Sequence, residues 1–196
     1  MEKLDVSKAI KALKNGEIIV YPTDTLYGLG ADIYNDDAVR RIFKIKERPT
    51  NMPLSVAVSD YNELEKIAFT NDKINNIVNI FLPGKLTIIL KKKDCVSDIV
   101  TAGLENVAIR IPDNDITLKL LSNFGPITAT SANIHGQRRL GNISEINMQF
   151  EDEDIAEYLD IGGLYGHPST IIDMTGKEIK VIREGEITTK AIWDAI

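Results

Sequence analysis

The sequence contains a single cysteine, Cys95, and only two histidines, His135 and His167, among its 196 residues. One cysteine cannot form an intramolecular disulfide, so we expect a reducing, cytoplasmic setting. A catalytic Cys95 is disfavoured because it follows a lysine run in a predicted turn and few histidines could act as its base. The histidines show no metal-ligand spacing, and the sequence therefore predicts no metal site built from them.

Long apolar runs are also missing. No stretch approaches the ~20 apolar residues of a membrane-spanning helix, and the first residues lack the basic flank and apolar core of a secretion signal. We therefore expect no membrane association, and the length predicts one domain over residues 1–196. The net charge of −6 disfavours a general nucleic-acid binder, whereas local basic clusters suit a small anionic ligand.

The common nucleotide-binding and hydrolase motifs are absent: the sequence has no Walker-type loop, no G-x-G-x-x-G before a helix and no G-x-S-x-G. It has instead the stretch 18–30, I-I-V-Y-P-T-D-T-L-Y-G-L-G. A short strand is stopped by Pro22, and hydroxyls, a carboxylate and two glycines, Gly28 and Gly30, follow. This pattern is typical of a ligand crevice at a strand end, and a purely structural turn is the equal alternative.

Strands and helices alternate without a break, which predicts an α/β domain with a mixed sheet. Helices are predicted at 5–15, 36–46, 61–68, 72–81, 116–123 and 188–195. Strands are predicted at 18–21, 54–58, 86–90, 107–111, 127–130, 170–173 and 178–183. The polar segment 136–154 is predicted to be a loop with one helix from Ser144.

Three cations are candidates for anion binding. Lys46 and Arg48 follow a predicted helix, and in an extended segment their alternation would put both side chains on one side as a phosphate clamp. The alternative is a solvated helix end, where cations favour the helix dipole. Arg110 interrupts the apolar strand V-A-I-R-I-P, so it either binds a carboxylate or phosphate in a crevice or points to solvent from an edge strand.

Hydroxyls, an amide and another arginine lie at the ends of three further predicted strands. Ser131 and Asn133 end T-A-T-S-A-N, Ser169 precedes T-I-I-D, and Arg183 precedes Glu-Gly. Each group could bind phosphate or ribose, or simply cap a turn. Together with the first loop, they predict a nucleotide-handling site that works by positioning and electrostatics rather than by a covalent nucleophile.

Seven motifs carry a resemblance to the YrdC/Sua5 family. In order they are Y-P-T-D-T-L-Y-G-L-G, K-I-K-E-R-P with P-L-S-V, P-G-K-L-T, V-A-I-R-I-P, T-S-A-N, S-T-I-I-D and I-R-E-G, and the chain resembles the family over 17–187. The resemblance implies an open twisted mixed α/β sheet with a concave, positively charged face. It also implies an L-threonylcarbamoyladenylate synthase, a nucleotidyltransferase that joins L-threonine, bicarbonate and ATP and releases pyrophosphate.

The same resemblance implies a role in the t6A modification of tRNA, Mg²⁺ as the helper of ATP, and the tRNA threonylcarbamoyl-transfer machinery as recipient of the product. The residues it implies for ATP are Lys46, Arg48, Asn106, Ser131, Asn133 and Arg183. The residues it implies for L-threonine are Thr25, Arg110, Ala129 and Ser169, with Arg110 taking the carboxylate. No general base is predicted.

The chain departs from the family pattern at three places. Met52 replaces an Asn or Lys and Ala57 replaces a His of the longer members, and the serine that follows S-A-N-x-S-G is missing, with Arg139 as a possible substitute contact. These departures leave open a related carbamoyl-adenylate enzyme with another substrate, as in hydrogenase maturation proteins. A non-catalytic module that binds double-stranded RNA is the other alternative, and the net charge disfavours it.

Overall fold

The computed structural model describes residues 4–195. Its helices are α1 (Ser7–Lys14), α2 (Asp36–Ile45), α3 (Tyr61–Ile67), α4 (Asp72–Phe81), α5 (Asp98–Thr101), α6 (Asp115–Phe124), α7 (Ile143–Gln149) and α8 (Thr189–Asp194). Its strands are β1 (Ile18–Tyr21), β2 (Gly28–Gly30), β3 (Ser55–Ala57), β4 (Leu86–Lys91), β5 (Asn106–Arg110), β6 (Ile127–Thr128), β7 (Thr130–Ser131), β8 (Ile155–Tyr158), β9 (Thr170–Asp173) and β10 (Lys180–Arg183). None of these helices is long and apolar enough to cross a membrane.

Helix starts follow the sequence closely because short polar side chains cap them. Asparagine or aspartate precedes the first helical residue of five helices, and its side chain accepts a hydrogen bond from the backbone N–H three residues later. This contact satisfies one of the backbone donors that a helix start leaves unpaired. These N-caps are Asn35, Asp60, Asn71, Asn114 and Asn142.

The strands form two mixed sheets rather than the single sheet predicted. The larger sheet has the order β10-β9-β4-β5-β3-β6 and the smaller one β7-β2-β1-β8. The chain passes from one sheet to the other at Ala129, inside the segment predicted as one strand: β6 pairs with β3, whereas β7 pairs with β2. The Ala129 N–H bonds to the Ser55 carbonyl at 2.7 Å, so the crossing point is itself fixed to the larger sheet.

One apolar core joins the two sheets. Buried side chains of the smaller sheet, such as Val20 and Leu29, belong to the same cluster as Val56, Ile88 and Ile109 of the larger sheet. A second cluster packs α1 and α6 against the opposite side of β1. Because alternate residues of a strand face opposite sides, both sides of β1 are buried, which explains its unbroken apolar sequence.

Gly28 and Gly30 admit the ring of Tyr21. A Cβ at Gly28 would lie 3.0 Å from Tyr21 Cζ, and one at Gly30 would lie 3.0 Å from Tyr21 Cδ1. The Tyr21 side chain is fully buried, and its hydroxyl donates to the Thr128 carbonyl at 2.9 Å. The close approach that the sequence predicted is thus made by a side chain of the neighbouring strand.

Candidate active site

A crevice with about 340 Å³ of internal space lies on one face of the larger sheet. The strand register places Ile89, Ala108 and Ser55 side by side on this face, while their neighbours Ile109 and Val56 face the core. The loop that follows β1, the crossing segment at β6–β7 and the residues before β9 contribute further parts of the wall. The crevice therefore forms where strand ends of both sheets meet.

Four arginines line this crevice: Arg48, Arg110, Arg139 and Arg183. No aspartate or glutamate belongs to its wall within residues 4–195. Burial, together with the charges of Arg139 and Arg110, lowers the pKa of Arg183, because like charges disfavour its protonated form. A wall that contains four arginines and, among the described residues, no carboxylate favours an anionic ligand even in a protein of net charge −6.

Arg110 faces the crevice, which excludes the alternative of a solvent-facing edge strand. It is 8% exposed, and its guanidinium is ion-paired with Asp24 and donates from Nη1 to Thr25 Oγ1 at 3.2 Å. Thr25 Oγ1 is also within 2.9 Å of Thr23 Oγ1, which donates to the Leu26 carbonyl. Two polar atoms of the pair, Asp24 Oδ2 and Arg110 Nε, are buried and have no hydrogen-bond partner among residues 4–195.

Ser169 is held from two sides. Its hydroxyl shares a hydrogen bond with Thr87 Oγ1 at 2.8 Å, and its carbonyl accepts one from Arg183 Nη2 at 2.8 Å. Gly185 allows this packing, since a Cβ there would lie 2.2 Å from the Pro168 carbonyl oxygen. The glycine of I-R-E-G is therefore required by the backbone that presents Ser169.

The segment after α2 is a helix end and is not extended, so the predicted alternation of Lys46 and Arg48 is wrong. Glu47 adopts a left-handed φ of 49°, its N–H bonds to the Lys44 carbonyl, and the Arg48 N–H bonds to the Phe43 carbonyl. This pair of bonds is the Schellman motif. Arg48 lines the crevice and donates to the backbone carbonyl of Pro53 at 2.8 Å, whereas Lys46 turns inward.

Lys46 is 2% exposed and lies outside the crevice wall. Its Nζ donates to the carbonyls of Ser131 and Asn133. Burial is the main cause that lowers the pKa of Lys46 to about 7, and the charge of Arg48 adds to it. The phosphate contact predicted for Lys46 is therefore not supported by the position of its ammonium group.

The structure brings most of the predicted site residues into one wall. The predicted residues that line the crevice are Thr25, Arg48, Arg110, Ala129, Ser131, Ser169 and Arg183. Those that do not are Lys46, Asn106 and Asn133. Asn106 lies two residues before Ala108 on the same side of β5, beyond the wall, and Asn133 is buried with its Nδ2 bonded to the carbonyls of Ile134 and Gln137.

Thr87 and Tyr27 also belong to the wall, and of these two residues Thr87 was not predicted. Thr87 is the one polar residue among the first five of β4, L-T-I-I-L, and strand alternation was the signal that could have assigned it to the crevice face. Tyr27 is buried, and its hydroxyl donates to the Gly162 carbonyl at 2.7 Å and accepts from the Ile161 N–H at 3.0 Å. It thereby connects the loop after β1 to the segment after β8, a contact that local sequence does not reveal.

The comparisons with known proteins agree with this geometry. The family model for Sua5, YciO and YrdC, described as telomere recombination, matches residues 11–185. The chain belongs to the Sua5/YciO/YrdC family. A relative from Methanocaldococcus jannaschii is 44% identical over 178 residues, which cover 90% of this chain and 84% of that protein. The threonylcarbamoyl-AMP synthase of Bacillus subtilis is 37% identical over 191 residues, 95% of this chain and 55% of that enzyme.

Solved structures of the Sua5/YciO/YrdC family confirm the predicted α/β fold. Pyrococcus abyssi Sua5 in complex with L-threonine superposes with a TM-score of 0.90 at 35% identity over 96% of this chain. Escherichia coli YciO superposes with a TM-score of 0.85 at 29% identity over 95% of this chain and 91% of YciO. The chain spans 56% of the Sua5 chain, about the same share as of the B. subtilis enzyme.

Proposed function

We propose that this protein is an L-threonylcarbamoyl-AMP synthase, which joins L-threonine, bicarbonate and ATP and releases pyrophosphate. The observation that carries the proposal is the convergence of four arginines with the hydroxyls of Thr25, Ser131 and Ser169 in one crevice. Relatives named for this reaction and a neighbour crystallised with L-threonine support it. The product would serve the t6A modification of tRNA in the cytoplasm, through the tRNA threonylcarbamoyl-transfer machinery.

The amino acid would bind at the end of the crevice that holds Arg110. An α-carboxylate suits a planar guanidinium, and Thr25 and Ser169 offer hydroxyls beside it. Ala129 adds a small side chain where the chain crosses between the sheets, which leaves space for a ligand backbone. These four residues are our proposed L-threonine contacts.

The nucleotide would bind between Arg48, Ser131 and Arg183, with Arg139 beside them and Asn106 beyond the wall. The amine of threonine and bicarbonate form a carbamate with loss of water. A carbamate oxygen then bonds to the α-phosphorus of ATP while the bond to pyrophosphate breaks. Both partners are anions, so fixed cations reduce their repulsion and hold them in line.

Mg²⁺ would enter this scheme with ATP. Within residues 4–195, no group of three or more His, Cys, Asp or Glu side chains is placed to hold a metal ion. Mg²⁺ in phosphoryl-transfer sites keeps several waters and binds substrate phosphates, so the hydroxyls of the wall would contact the ion or its waters, whereas the arginines would contact the phosphates alone. The ion would supply charge neutralisation on the phosphates, and the four arginines would supply the rest.

A related carbamoyl-adenylate enzyme with a different acceptor is the second candidate. Ala57, the replacement for a histidine, is buried and pairs with Arg110 in the β3–β5 register, and Arg139 lines the crevice in place of the missing serine. The first departure thus lies beside Arg110, behind the crevice wall, and the second lies in the wall itself. Binding of tRNA or double-stranded RNA without turnover would be a third outcome of the experiment.

The test is pyrophosphate release by the pure protein with ATP, Mg²⁺ and bicarbonate, with and without L-threonine. We expect release that requires L-threonine and falls at least tenfold in Arg48→Ala. The matched control is Arg138→Ala, because Arg138 is exposed, pairs with Glu145 and lies outside the crevice wall. Release without L-threonine would favour the second candidate. No release, together with salt-sensitive RNA retention, would refute the synthase proposal.

A further inference from the structure

Lys46 has a different environment from the four arginines. Two of the three N–H donors of its ammonium group are used by neighbouring backbone carbonyls, those of Ser131 and, at 2.6 Å, Asn133. The Lys46 carbonyl in turn accepts a hydrogen bond from the His135 N–H at 2.7 Å. Lys46 is therefore bonded to the segment 131–135 through both its side chain and its main chain.

The segment 131–135 connects this contact to the crevice. Ser131 pairs with Gly28 through β7 and β2 and lines the crevice. The next residues turn away from it: the Ala132 N–H bonds to the Tyr27 carbonyl, and the Asn133 amide bonds within its own turn. The orientation of the Ser131 hydroxyl thus depends on a turn whose carbonyls converge on Lys46.

Lys46 is buried and lies outside the crevice wall, so its Nζ would have to move out of its present position to contact a phosphate in the crevice. Nζ would then leave two carbonyls, and a buried carbonyl without a donor destabilises the folded protein. Arg48, two residues later, already presents its guanidinium to the crevice. The two cations therefore occupy different positions, one in the crevice wall and one behind it.

We propose that Lys46 is a positioning residue, which fixes the turn 131–133 and hence the Ser131 hydroxyl in the nucleotide half of the crevice without touching the substrate. Charge-assisted hydrogen bonds to two carbonyls are strong enough to hold one conformation of a turn. The inference rests on the proposed function for its kinetic readout. Its structural readout is independent of that function.

The structural test is a crystal structure of the wild-type protein with a non-hydrolysable ATP analogue. We expect Nζ of Lys46 to stay bonded to the carbonyls of Ser131 and Asn133, with no phosphate oxygen within about 3.2 Å. A phosphate oxygen within that distance would overturn the proposal. This test needs no variant, so it stays valid if substitution of Lys46 prevents folding.

The kinetic test compares Lys46→Met with Lys44→Met, a substitution at an exposed lysine of the same helix. We expect Lys46→Met to lower kcat/KM for ATP about tenfold or more, with KM for L-threonine unchanged and Lys44→Met like the wild type. In a double-mutant cycle with Ser131→Ala, the combined loss should be clearly smaller than the product of the two single losses. If the loss in the double variant equals the product of the two single losses, Lys46 and Ser131 act independently and the proposal is contradicted. If the wild-type protein releases no pyrophosphate, the proposed function is refuted, and the structural test of Lys46 still applies.

Discussion

Replacement of Asp24 by asparagine should destabilise the protein strongly, because Asp24 neutralises a buried cation. The side chains of Asp24 and Arg110 are 6% and 9% exposed and form an ion pair beside the crevice. Asparagine keeps the size of the side chain and removes its charge. Arg110 would then be buried close to Arg183 without a counter-charge.

Loss of one partner of a buried ion pair costs about 3–5 kcal/mol, because the remaining charge is left uncompensated. We expect Asp24→Asn to lower the free energy of unfolding by about that amount in urea titrations followed by circular dichroism at pH 7 without ligands. The double substitution Asp24→Asn with Arg110→Met should recover most of the loss, since an apolar side chain of similar length replaces the unpaired charge.

The matched control is Asp154→Asn. Asp154 pairs with Arg41 and its side chain is 90% exposed, so this substitution should leave the unfolding transition unchanged. A loss below about 1 kcal/mol for Asp24→Asn, or no recovery in the double variant, would refute the reasoning that the pair compensates a buried charge.

Three further predictions concern backbone strain, packing and pH. Glu47→Gly should stabilise the protein by roughly 1 kcal/mol in the same titrations, since glycine adopts the left-handed conformation of this helix end without strain, and an equal or lower stability would contradict the assignment. Gly28→Ala should cost about 1–3 kcal/mol, because its Cβ would press on the Tyr21 ring, and a neutral effect would show that β1 and β2 can separate. The pKa of Lys46 lies near 7 in the folded protein and near 10.5 in the unfolded chain. Between these two pH values Lys46 is therefore protonated in the unfolded chain and mostly neutral in the folded protein. The stability of the wild type relative to Lys46→Met should therefore rise from pH 7 to pH 10, by at most about 1.4 kcal/mol per pH unit, and a flat difference would disprove the shift.

Local signals predicted most of the elements. Helix α4 begins and ends where the sequence placed it, because Asn71 caps its start and Pro83 follows its end. Strand β8 was missed: it follows an acidic run, its side chains are mostly half-exposed, and it pairs in parallel with β1, which is distant in the sequence. The division into two sheets was missed for the same reason, since pairing partners of β6 and β7 are not local.

The candidate site shows the same limit. Arginine within an apolar strand correctly indicated that Arg110 faces a crevice, and family motifs led to Ser131 and Ser169. The sequence could not show that Arg110 is already paired with Asp24, or that Lys46 turns away from Arg48. Both features are contacts between residues that lie about 85 positions apart in the sequence, so local patterns could not predict them.

The measurement that tests the central claim most directly is product analysis by mass spectrometry after incubation with ATP, Mg²⁺, L-threonine and carbon-13-labelled bicarbonate. If the arginine-lined crevice joins two anionic reactants, threonylcarbamoyl-AMP carrying one labelled carbon should form only when all three substrates are present. A folded preparation that consumes no ATP and yields no labelled adenylate would contradict the account.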